Sequence, residues 1–185
     1  MLSRAMNALH DLPIIKNQSA FNLARWAELC ADPFWGQIDG KIETDRYGQI
    51  IMNAPADPTH GGRQADLTLL LSKHAPSGKI IVECPISTSE GIKVPDIVWV
   101  SKKSFTVIGG KSALTTAPEI CIEVLSPSNT RNEIEEKRRL YFEAGASEVW
   151  LCERDGRVRF FLKASRSRAS KKSALCPGMP GQIAE

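Results

Sequence analysis

The stretch Ile120–Ser126, ICIEVLS, reads as a β-strand that is apolar on both faces, and it carries Glu123 near its middle. Ile120, Ile122 and Val124 alternate with Cys121, Glu123 and Leu125, so either face of the strand calls for burial. An isolated carboxylate there is strongly unfavourable unless it is paired, protonated or bound to a metal. The rest of the chain has to supply its partner.

The helix that follows supplies a candidate. In the segment from Asn132 to Ala144, Ile134, Leu140, Tyr141 and Ala144 define an apolar stripe, and Gly145 is placed to end the helix. With Ile134 as origin and about 100° per residue, Lys137 falls at about −60°, near the centre of that stripe. The ordinary explanation is a lysine whose stem packs while its ammonium reaches water. A helix connecting two neighbouring strands lies across the same sheet, however, so Lys137 and Glu123 are expected to meet.

A second carboxylate comes from KVPDIVWVS, where Asp96 follows Pro95 and shares a face with Val94 and Val98. Alone, Asp96 reads as a strand-edge residue. Beside Glu123 it makes an oxygen-rich pair suited to a hard divalent cation, Mg²⁺ or Mn²⁺, with Lys137 able to orient water or stabilise developing negative charge. Asp96, Glu123 and Lys137 together form a minimal kit for phosphodiester hydrolysis.

Outward from this centre, the pattern is a single α/β (α+β) domain of strands flanked by helices. AFNLARWAELC reads as a helix with Phe21, Ala24 and Leu29 inward. GQIDGKIETD and GQIIMN read as a hairpin turning around Arg46-Tyr47-Gly48, and RQADLTLLLSKHA as a helix burying Leu67, Leu70 and Leu71. KIIVECPIS and KVPDIVWVS each read as one strand, and KKSFTVIGGKSALTTAP as a turn-rich connection. EVWLCE and RVRFFLK form a last hairpin across Arg154-Asp155-Gly156. Glu119 is expected at the strand's exposed entry. Residues 1–18 read as an N-terminal arm, 19–163 as the domain and 164–185 as a basic C-terminal segment that could add a final strand.

The totals narrow the class. The 185 residues include 42% hydrophobic and 24% charged side chains, ordinary for a globular chain, and the net charge of +3 does not by itself demand nucleic acid. The tract KASRSRASKK, residues 163–172, is locally basic; it reads as a solvated segment, with phosphate contact as the functional alternative. Five cysteines without a CxxC pair fit neither a disulfide framework nor a thiolate zinc site, and a reducing cytoplasm is expected. No apolar run of about 18 residues implies a membrane span, and the start of the chain lacks a signal-peptide pattern.

VPDIVWVS, APEICIEVLSPSN and EKRRLYFEAGASEVWLCE, in that order, resemble the Uma-two endonuclease family of the PD-(D/E)xK, restriction-endonuclease-like superfamily. The resemblance spans residues 20 to 165 or so. It implies a central mixed β-sheet flanked by helices, with a metal site on it. Asp96 matches the aspartate of the family's PD dipeptide, Glu123 the glutamate of its EVLSPS motif, and Lys137 the lysine of the following helix. The superfamily pattern places that lysine two residues after the glutamate; here the position holds Leu125, so the lysine has moved to the helix. An upstream acidic residue is matched best by Glu43, with Asp39 and Asp45 as competitors. His60 matches a histidine common before the first long helix, and a plain helix-terminal role is the alternative. The resemblance thus implies a Mg²⁺- or Mn²⁺-dependent endonuclease acting on nucleic acid, DNA foremost, and working as a homodimer. The competing expectation is a nuclease-fold module that binds nucleic acid or protein without catalysis.

Overall fold

A computed structural model describes residues 14–37, 40–53, 57–108 and 112–183. Most of the expected arm, and Asp39, lie outside the described residues.

Among the described residues six strands make the central sheet: β3 (Gly78–Val82), β6 (Ile97–Ser101), β7 (Ile120–Val124), β8 (Glu148–Cys152), β9 (Val158–Leu162) and β10 (Ser165–Ser170). Their order is β10-β9-β8-β7-β6-β3, and the sheet is mixed. Among the described strands of this sheet only β7 and β8 run parallel, joined by helix α4 (Arg131–Glu143); the other neighbours are antiparallel, β8–β9 and β9–β10 as hairpins. Two small antiparallel pairs sit beside the sheet: β1 (Ile42–Thr44) with β2 (Ile50–Met52), and β4 (Ile86–Thr88) with β5 (Gly91–Lys93).

Alternation along the strands divides the core in two. Ile97, Trp99, Ile120, Ile122 and Trp150 face helix α2 (Pro58–His74), which contributes Leu67 and Leu71. The C-terminal segment closes this layer with Cys176, Met179 and Ile183. Val98, Cys121, Val149, Leu151 and Phe161 face the opposite way, against Ile134, Tyr141 and Phe142 of α4. Glu123 follows Cys121 by two residues, so it points to the α4 side.

Several elements differ from the sequence reading for identifiable reasons. KVPDIVWVS is two strands, not one: Pro95 has no N–H to donate, and the chain leaves β5 before re-entering the sheet at β6. KIIVECPIS likewise breaks, at Glu83 (φ 50°) and Pro85. Helix α1 (Gln18–Ala31) buries Asn22, Trp26 and Leu29, while Ala24 is exposed. The buried face differs from the apolar spacing because it includes the polar Asn22, whose Nδ2 donates to Ser87 Oγ and to the Thr88 carbonyl, both at 2.9 Å. A short helix α3 (Lys102–Ile108) occupies part of the expected loop. Glu119 is half-buried, accepting hydrogen bonds from Ser101 and Ser104. Residues 165–170 of the basic tract form the exposed edge strand β10, with a bulge after Ser165.

Candidate active site

Pro95 sets the position of Asp96, one residue before β6. The β6–β7 register pairs Ile97 with Ile122, so continuing it by one residue places Asp96 opposite Glu123. Asp96 is held on every side. Its Oδ2 accepts the backbone N–H of Val124 at 2.7 Å, and its backbone carbonyl accepts from Glu83 N and Gln64 Nε2, each at 3.0 Å. Its Oδ1 lies 2.6 Å from Lys41 Nζ and 3.5 Å from His60 Nε2. Burial disfavours the Asp96 charge, but His60, Lys41 and the Val124 N–H outweigh it and bring the carboxyl down to about 2.

Glu123 is 4% exposed, and its Oε1 accepts the Tyr141 hydroxyl at 2.5 Å. Lys137 Nζ stands 3.6 Å from the same oxygen and donates to Glu43 Oε1 at 2.8 Å. The α4 stripe therefore carries its lysine into the protein, where two carboxylates compensate it. Burial works against the Lys137 ammonium, but Glu123 and Glu43 dominate and hold its pKa well above the ordinary lysine value. For Glu123 the balance runs the other way: burial pushes its pKa up and Lys137 and Lys41 only partly offset this.

Glu43 reaches this centre from β1. Besides Lys137 it accepts the Val94 N–H at 2.9 Å, which ties the first hairpin to the chain between β5 and β6. Asp45 instead closes the hairpin turn, accepting from Tyr47 N and Gln49 N at 2.8 and 2.9 Å. His60 lies in the first turn of α2, its backbone N–H bonded to the N-cap Asp57 and its ring turned to Asp96.

The structure thus brings Asp96, Glu123, Lys137 and Glu43 together, with His60 at their margin. Three contributors escaped the sequence reading: Lys41, Gln64 and the buried Lys93, whose Nζ donates to the Thr44 carbonyl. Lys41 carried one faint signal, sharing a strand face with Glu43 at i, i+2.

A cavity of about 920 Å³ opens over this cluster, lined among others by Lys41, His60, Asp96, Glu123 and Lys137. Glu123 Oε2 has no hydrogen-bond partner among the described residues, and Asp96 Oδ1 is held by side chains alone. Two carboxylate oxygens beside open volume fit a hydrated Mg²⁺ or Mn²⁺, which commonly takes one or two carboxylates plus water. Among the described residues no group of three or more His, Cys, Asp and Glu side chains converges as a ready-made metal cage.

Residues 29–176 match the model of the Uma2 family, described as "Putative restriction endonuclease". The chain belongs to this family. No curated protein matches the sequence. Among solved structures, the chain resembles one titled a putative nuclease belonging to DUF820 from Anabaena variabilis ATCC 29413, with a TM-score of 0.58 at 16% identity. The superposition covers 74% of this chain and 80% of that one, and the likeness is one of fold. The mixed six-stranded sheet with helices on its faces is thus the architecture that this Uma2 chain shares with that protein. Among the described residues no helix is long and apolar enough to cross a membrane.

Proposed function

We propose that the chain hydrolyses phosphodiester bonds in DNA, with Mg²⁺ or Mn²⁺ held by Asp96 and Glu123. The observation that carries this reading is the pair of buried carboxylates facing across β6 and β7 into one cavity, with Lys137 Nζ 3.6 Å from Glu123. A divalent ion there would supply Lewis acidity and offset charge on the reacting phosphate.

The chain's own residues do the rest. Tyr141 fixes Glu123, a cavity-lining residue, by its Oε1. Val124 N–H fixes Asp96 by its Oδ2. Lys137 stays an ammonium, held so by Glu123 and Glu43, and acts as a donor that orients the attacking water and stabilises negative charge. It is not the base. Glu43 keeps that ammonium aimed. A homodimer would supply the two sites that cut both strands of a duplex together. The spacing of the five cysteines, with no CxxC pair, supports a reducing compartment such as the cytoplasm.

The test is cleavage of supercoiled plasmid, linear duplex, single-stranded DNA and RNA with Mg²⁺, Mn²⁺ or EDTA. Lys137→Met is expected to cut about 100-fold more slowly or worse, the usual loss when a charge-stabilising donor is removed. Equal cutting by wild type and this variant would assign the activity elsewhere. A second reading, a binding module without catalysis, is favoured by one observation: Lys41 already neutralises Asp96 at 2.6 Å. It predicts duplex retention on a filter with no metal-dependent cutting.

A further inference from the structure

Resting on that metal-site reading, we propose that Lys41 is an exchangeable counter-ion: it holds Asp96 Oδ1 until a divalent cation takes the oxygen, and so sets the metal affinity of the site. The motifs that carry the family resemblance give Lys41 no role.

The geometry leaves a cation little choice on Asp96. Oδ2 is taken by the Val124 N–H at 2.7 Å, and turning the carboxylate would leave that buried N–H unpaired. Oδ1 is therefore the oxygen open to a metal, and it is the one that Lys41 Nζ occupies at 2.6 Å. An ammonium and a divalent ion on one carboxylate oxygen repel strongly, more so where water is largely excluded. His60 Nε2, 3.5 Å away, adds to that repulsion whenever its ring is protonated.

Lys41 can also leave. It precedes β1 rather than sitting within it, and its side chain is 17% exposed and lines the cavity. Its flexible four-carbon stem lets the ammonium move into the open volume without a backbone change. Lys137 differs: it is anchored by Glu43 as well as Glu123 and is 7% exposed. Of these two lysines facing the carboxylates, one is built to stay and the other to be displaced. While in place, Lys41 keeps Asp96 ionised and correctly turned. Burial opposes its charge, but Glu123 and Asp96 outweigh it and hold its pKa above the ordinary value.

The experiment is Mn²⁺ titration by calorimetry of the full chain as wild type, Lys41→Gln, Lys41→Met and Lys41→Arg, with circular dichroism to verify folding. Lys41→Gln removes the charge but keeps a donor for Asp96, so it tests the idea even if Lys41→Met fails to fold. Removal of the competing cation is expected to tighten Mn²⁺ binding about tenfold or more in Lys41→Gln and Lys41→Met. Lys41→Arg, which retains the charge, is expected to stay near wild type. A merely structural lysine gives the opposite sign, since loosening Asp96 weakens the site. If wild type binds Mn²⁺ and folded Lys41→Gln binds it equally or more weakly, the exchange is wrong while the metal reading stands. If wild type binds none and Lys41→Gln does, exchange is supported in its extreme form. If neither binds, both readings fall.

Discussion

At the scale of single residues, the site is a problem in charge compensation. Glu43, Asp96, Glu123 and Lys137 are all buried, and such groups persist only because each has a partner. Lys137 is the joint between two of them. Replacing it with Met leaves Glu43 and Glu123 buried without their shared cation, a loss of about 3–5 kcal/mol in folding stability. Adding Glu43→Gln removes one of the stranded charges, so the double variant should recover part of that loss. Urea unfolding of wild type, both singles and the double measures the coupling; strictly additive effects would mean the 2.8 Å contact contributes nothing. Glu123, Asp96 and Lys137 were visible in the sequence because each breaks a periodic pattern: a carboxylate in an apolar strand, an aspartate after proline in a strand-like run, a lysine inside an apolar stripe. Lys41 breaks no pattern. It precedes a three-residue strand, too short to establish a period, and its contact with Asp96 joins residues 55 apart in the chain.

Elements were legible where their periodicity ran long and illegible where proline or a buried polar group interrupted it. Helix α4 shows the first case: Thr130 caps it through Glu133 N, and Gly145 follows its end at φ 119°, a conformation glycine adopts freely. Strands β5 and β6, parted at Pro95, show the second. Strand β8 runs as its pattern predicts, but nothing in that pattern marks Glu148, at its start, which is 1% exposed. Its Oε1 accepts from Ala174 N and Leu175 N at 2.8 Å, and its Oε2 from Trp150 Nε1 at 2.7 Å. That carboxylate fastens the C-terminal segment over the α2 face of the sheet, where Cys176 and Met179 are buried. Glu148→Ala would leave the Trp150 N–H and two backbone N–H groups without their acceptor. At about 1–3 kcal/mol for each buried group left unsatisfied, a total near 3 kcal/mol is expected once water reaches the backbone pair. Limited proteolysis should then cut within residues 173–183 well before the sheet unfolds. If the variant resists protease as wild type does, Glu148 is not what holds the segment.

For the molecule as a whole, the internal pairing of lysines with carboxylates separates folding from metal binding. Lys41 and Lys137 already neutralise much of the cluster, so the chain is expected to unfold cooperatively, and at the same temperature, before and after treatment with EDTA. A metal that binds the folded state alone must then stabilise it by mass action. At a free Mn²⁺ concentration about 100 times the dissociation constant, the gain is about 2.7 kcal/mol. For a chain of this size, that corresponds to a rise in melting temperature on the order of 5–10 °C. Asp96→Asn keeps the acceptor for the Val124 N–H but discards the charge that the metal and Lys41 share. Its melting temperature should fall without metal and should hardly respond to Mn²⁺. The two effects are separable by differential scanning calorimetry, because the first needs no ion and the second needs nothing else. A wild-type chain whose melting temperature ignores saturating Mn²⁺ would mean that its buried carboxylates serve the fold alone. A shift that survives in Asp96→Asn would instead move the ion away from β6.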